Sequence, residues 1–152
     1  MCGDKYFLPV DAEEIELSAW ASILPDGCSI IRTNLFGDHF LADGNGEVHL
    51  LDRGGCTVER IAASAESFWA RIPEDKAGWQ LRILADNCRK TGKVLAADQC
   101  YAFITLPVLG GEYTVDNVWV ATCREWFSLT ADMFKQIEKL PDGAAVSLKI
   151  TD

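Results

Sequence analysis

The chain is predicted to fold as an α+β protein, a mainly antiparallel β-sheet with helices packed against it. Three observations lead there. Residues 35–60, LFGDHFLADGNGEVHLLDRGGCTVER, place short apolar runs on either side of Asp43-Gly44-Asn45-Gly46. Asp-Gly and Asn-Gly tolerate positive φ, so this connection reads as a hairpin turn. A glycine pair, Gly54-Gly55, and a third run, Cys56 to Ile61, extend the hairpin into a meander. Segments with helical periodicity lie before and after it. At 152 residues the chain is read as one domain over 1–152.

In chain order, Asp11 and Glu14 have capping-box spacing ahead of Ala12–Leu24, where Ile15, Ala19, Trp20 and Ile23 fall on one helical stripe. Pro25-Asp26-Gly27 ends that segment. Strands are expected at Cys28–Thr33, Asp38–Ala42, Glu47–Leu51 and Thr57–Ile61, with the His49 face of the sheet meeting water. Ser64 reads as the N-cap of a helix over Ala65–Ile72. Pro73 opens a second helix over Glu74–Lys90, stopped by Gly92. Cys100–Val108 and Val115–Ala121 are apolar strand candidates separated by Leu109-Gly110-Gly111. Thr122 and Glu125 form a capping box ahead of a helix over Trp126–Leu140, and Ala145–Ile150 reads as a last strand.

Composition excludes several classes. Net charge is −9, with −7 in residues 1–60 and −2 in the remainder. Such a chain lacks the clustered Lys and Arg that phosphate contacts require, so no nucleic-acid partner is expected. No apolar run reaches the roughly 18–20 residues of a membrane span, and no signal peptide is visible, which points to the cytoplasm. The six cysteines are dispersed, without a Cys-x-x-Cys pair, and read as reduced thiols in apolar surroundings.

Candidate chemistry is sparse. Asp43, Asn45 and Glu47 alternate like a calcium loop, but Val48 and Gly54 stand where the loop needs Gly and Glu. His39, His49 and Cys56 lack zinc spacing, and the histidines are expected to face solvent from their strands. No nucleophile elbow, phosphate loop or dinucleotide fingerprint is present. Neither a cofactor, a metal nor catalytic residues are therefore expected.

Two patches carry a family resemblance. Phe36-Gly37-Asp38-x-Phe40 is followed by Asp43-x-x-Gly46-x-Val48-x-x-Leu51-Asp52. Tyr101-Ala102-Phe103 leads to Leu109-Gly110-Gly111, Asp116-Asn117-Val118 and the helix containing Trp126 and Leu129. Order and spacing resemble the C-terminal domain of type VI secretion immunity proteins that protect against a DNase effector, a group loosely similar to SUKH immunity domains. The resemblance spans roughly Leu35 to Leu140 and brings no catalytic residues. It implies a non-enzymatic protein that occludes a toxin. A basic toxin would meet an acidic surface, for which the candidate contacts are Glu13, Glu16, Asp38, Asp43, Glu47 and Asp52. The alternative is a small-molecule-binding or regulatory domain with Trp69, Trp79 or Trp126 walling an aromatic groove. An enzyme would need His39 or His49 to meet a carboxylate and a nucleophile.

Overall fold

A computed structural model describes residues 4–140 of the chain. The expected last strand, Ala145–Ile150, lies outside the described residues. The elements are β1 (Ser29–Thr33), β2 (His39–Ala42), β3 (Val48–Asp52), β4 (Thr57–Ala62), α1 (Ala65–Arg71), α2 (Arg82–Lys90), β5 (Gln99–Phe103), β6 (Val118–Thr122) and α3 (Cys123–Glu138). The fold is α+β and its strands are antiparallel throughout. They divide into two sheets, one ordered β1-β2-β3-β4 and one pairing β5 with β6. The sheets meet where the Tyr101 N–H donates to the Leu35 carbonyl at 2.8 Å and the Val108 N–H to that of Gly54 at 3.0 Å.

The hairpin forms as its turn chemistry dictates. The Asp43 carboxylate accepts the N–H groups of Asn45 and Glu47, and Gly46 takes φ +82°. Register sets Leu41 opposite His49 and His39 opposite Leu51, so these four side chains share one face. That face does not meet water, contrary to the expectation from alternation. Leu41 and Leu51 pack with Trp20 and Phe134. The opposite face, carrying Phe40 and Val48, packs with Phe68, Ile72 and Trp79. A third cluster joins β5, β6, α2 and α3 around Phe36, Tyr101 and Trp126.

Two expected helices are largely loop. Residues 12–24 form 3-10 turns at Ala12–Glu14 and Ser18–Trp20, with Ile15 extended between them. Asp11 accepts the Glu13 N–H and Glu16 accepts the Ser18 N–H, so acids read as a helix surface instead cap local turns. The rearrangement delivers Trp20 onto Phe134, stacked at 4.4 Å. Residues 74–90 become helical only from Arg82. Asp75, itself at φ +44°, accepts the N–H groups of Trp79 and Gln80 and holds that stretch as a loop. Trp79 then stacks on Phe68 at 5.7 Å, while Ile83 is 81% exposed. The strand expected over Cys100–Val108 stops at Phe103, and Pro107 opens a 3-10 turn. Residues Val115–Asn117 form another such turn ahead of β6.

The capping signals of α1 and α3 hold, whereas Asp11 caps only a 3-10 turn. Thr122 and Glu125 make both bonds of a capping box on α3, whose buried stripe is Trp126, Thr130, Met133 and Phe134. Leu140, expected as the last residue of that helix, is exposed past its end. Ser64 accepts the Ser67 N–H at 3.1 Å. Ser64→Ala is expected to lose about 1 kcal/mol, read as a drop of about 3 °C in Tm.

Candidate functional site

A buried polar hub fixes the geometry beneath the surface. The tight loop from Asn34 to Asp38 closes because Asn34 Oδ1 accepts the N–H groups of both Phe36 and Asp38, with Gly37 at φ +81°. Asp38 therefore points inward. It is buried and accepts the Arg53 backbone N–H at 3.1 Å, which removes it from the surface set. His39 is also fully buried rather than solvent-facing. Arg53, 1% exposed, donates from Nε to His39 Nε2 at 2.8 Å and from Nη1 to the Phe127 carbonyl and Thr130 Oγ1. Its guanidinium lies over the rings of Phe127 and Trp20. Arg53 thus ties the larger sheet to α3.

Because Arg53 Nε always carries hydrogen, His39 Nε2 must accept, and the imidazole proton sits on Nδ1 facing Thr33 Oγ1 at 2.8 Å. Burial, aided by the Arg53 charge, holds the His39 pKa well below its usual value. The unfolded chain then takes up this proton first as pH falls below about 6.5, so the His39 contribution to stability is present above that pH and is lost below it. Asp38 and Asp52 act with the opposite sign, since burial pushes both carboxyls up and Asp52 raises Asp38 further. In Asp38→Asn one opposing group is gone. Its urea midpoint is expected to fall more steeply than that of wild type between pH 7 and 5, by up to about 2 kcal/mol in stability. Parallel pH profiles would show that Asp38 does not oppose the acid limb in this range.

The six acids expected at the surface occupy three places. Glu13 and Glu16 are exposed on the N-terminal 3-10 segment. Asp43 and Glu47 sit at the hairpin tip, where Asp43 bonds His49 at 2.8 Å with its side chain only 9% exposed, and Glu47 pairs with Arg60. The His49 hydrogen bond, opposed by burial, pulls the Asp43 pKa down. Asp52 lies with Asp38 at the other end of the hairpin, half-buried and accepting the Gly55 N–H. Asp52 lies five positions beyond Glu47 along the strand, roughly 17 Å. The hairpin acids are thus mostly occupied within the fold and do not form one face.

A groove of about 940 Å³ lies between residues 9–19 and the first turns of α3. Val10, Ile15, Ala19, Phe127 and Ala131 contribute apolar surface. Asp11, Glu14, Glu16 and Asp98 line it with carboxylates, and Arg124 and Lys135 add two cations. Hydrogen bonds from Ser18 hold the Glu16 carboxyl below its usual pKa. This site brings Glu16 together with Asp11, Glu14 and Asp98. The run of acids at residues 11–16 is its one sequence signal, since the facing wall is some 80–120 residues away in the chain. Of the tryptophans expected at an aromatic groove, Trp126 is buried in the cluster around Phe36, and Trp69 and Trp79 belong to the cluster around Phe68; Trp79 also lines a hollow of about 340 Å³ with Ala70, Arg71 and Pro73. Among the described residues no group of three or more His, Cys, Asp or Glu could hold a metal ion.

Residues 63–134 match the family model described as T6SS immunity protein Tdi1, C-terminal. The matched segment contains the Tyr101–Gly111 and Asp116–Val118 patch and the start of α3, and it stops short of the Phe36–Asp52 patch. It also supplies one wall of the groove, from Ala97 to Ala131. No curated protein matches the chain. Among solved structures, the crystal structure of Atu4351 from Agrobacterium tumefaciens is similar with a TM-score of 0.60 and 17% identity. That likeness covers 83% of this chain and 66% of that one, just under two thirds of its length, and speaks to the fold alone.

Proposed function

With residues 63–134 matched to the type VI secretion immunity family, we propose that the protein neutralises a cognate effector by binding it through the acidic groove between the N-terminal segment and α3. The observation that carries this reading is the composition of the groove. The matched segment builds one wall, and residues 9–19 complete the other with exposed carboxylates, Glu13 standing beside them. An effector that acts on nucleic acid presents a basic substrate face. Carboxylates then stand where phosphates would, and charge steering speeds capture. Action is by occlusion rather than catalysis, on an effector met in the cytoplasm. The described residues contain no helix long and apolar enough to cross a membrane.

The test is calorimetric titration of the effector encoded beside this gene into wild type and into Glu14→Lys/Glu16→Gln. The glutamine retains the acceptor that caps Ser18 while removing its charge. Affinity is expected to fall about tenfold or more between about 50 and 300 mM salt, and comparably in the variant. Binding that both changes leave untouched would remove the groove from the interface.

A further inference from the structure

The structure brings together two thiols that the dispersed cysteine spacing gave no reason to pair. Cys123 opens α3 and lines the groove. Cys100 lies in β5 opposite Ala121, two residues before Cys123. The Cys123 N–H donates to the Asp98 carbonyl at 2.8 Å, which folds the start of α3 back against the chain entering β5. With Asp98 set against Cys123 and Cys100 against Ala121, the two cysteines lie diagonally across the ladder on one face. Cys100 is fully buried and Cys123 is 8% exposed, on the groove side.

We propose that Cys123 and Cys100 form a peroxide-sensitive dithiol at the foot of the groove, in which Cys123 is the thiol attacked first and Cys100 the resolving thiol. In the first step the Cys123 thiolate attacks one oxygen of hydrogen peroxide. The O–O bond breaks, an S–O bond forms, and the departing hydroxide takes a proton to become water. Cys123 is oxidised to the sulfenic acid and the peroxide is reduced. In the second step the Cys100 sulfur attacks the Cys123 sulfur. The S–O bond breaks, the S–S bond forms, and hydroxide leaves with the Cys100 proton as a second water. The overall change is two thiols and one peroxide to one disulfide and two waters.

The surroundings divide these roles. The first turn of a helix favours a thiolate, and the neighbouring Cys100 thiol pulls the Cys123 pKa down against the effect of burial. Burial pushes up the thiols of Cys28, Cys56 and Cys88, that of Cys56 to about 11. Cys100 is pushed up chiefly by the neighbouring Cys123 thiol and then by burial. Oxidation of Cys123 removes the first of these causes; burial still holds the Cys100 thiol up, opposed by the Arg53 charge. Transient disulfides of this kind occur in reducing compartments as redox sensors. The inference does not depend on effector binding.

The test exposes the purified chain to hydrogen peroxide and maps its peptides by mass spectrometry. The expected result is one dominant cross-link, Cys100 to Cys123, with the protein lighter by two hydrogens and the change reversed by dithiothreitol. In Cys100→Ser, Cys123 is expected to stop at the sulfenic acid and be trapped by dimedone. The wild-type map needs no variant. Cys123 left unmodified, or a dominant cross-link through other cysteines, would overturn the proposal.

Discussion

Arg53→Met is expected to destabilise the protein by about 3–5 kcal/mol, the cost of removing one partner from a buried charged network. Methionine keeps much of the side-chain volume, so the loss reports on bonding more than on packing. His39 Nε2 loses its donor, Thr130 Oγ1 and the Phe127 carbonyl lose theirs, and Phe127 and Trp20 lose the cation over their rings. Asp38 keeps the Arg53 backbone N–H but loses the compensating charge. Arg53→Met combined with Asp38→Asn is therefore expected to recover part of the loss, because no buried carboxylate is left uncompensated. Urea midpoints of the three proteins measure this. A single-variant loss below about 1 kcal/mol would mean that the network contributes little beyond its apolar stems.

Gly37→Ala is expected to cost about 2–5 kcal/mol, from two separable causes. Gly37 takes φ +81°, a conformation in which a side chain is strained. A Cβ there would also stand 2.8 Å from Trp126 Cδ1 and 3.0 Å from Phe127 Cε1. Trp126 cannot retreat easily: it is buried, and its Nε1 donates to the Phe36 carbonyl at 2.9 Å. Gly46→Ala is the control, with φ +82° and open space where its Cβ would stand. It bears the backbone strain alone, about 1–2 kcal/mol. The difference between the two midpoints isolates the contact with α3. Equal losses would show that Trp126 and Phe127 yield without strain.

Much of the fold was legible because its signals are local. The hairpin followed from Asp43-Gly44-Asn45-Gly46, and the starts of α1 and α3 followed from Ser64 and from Thr122 with Glu125. The misread segments carried helical periodicity too, but Glu16 and Asp75 spend their carboxylates on backbone N–H groups two to five residues away. That chemistry competes with a helix and is invisible to periodicity. Tertiary burial of Trp20 and Trp79 completes the override. The hub was not legible, since Arg53 meets partners 14 to 77 residues away. His39, read by alternation as solvent-facing, lies beneath α3. The groove was half legible: acids near Glu13 and Glu16 were expected at a surface, but the facing wall comes from α3 and Asp98. The thiol pair is equally non-local, formed only by the β5–β6 register.

The most direct test of the central claim is survival of cells that express the effector encoded next to this gene, with and without this protein. Wild-type protein is expected to rescue these cells, and Glu14→Lys/Glu16→Gln to rescue them more weakly at equal protein level. Cells that die despite soluble wild-type protein and an active effector would contradict immunity toward that effector. Full rescue by the variant would keep immunity and move its contact surface away from the groove.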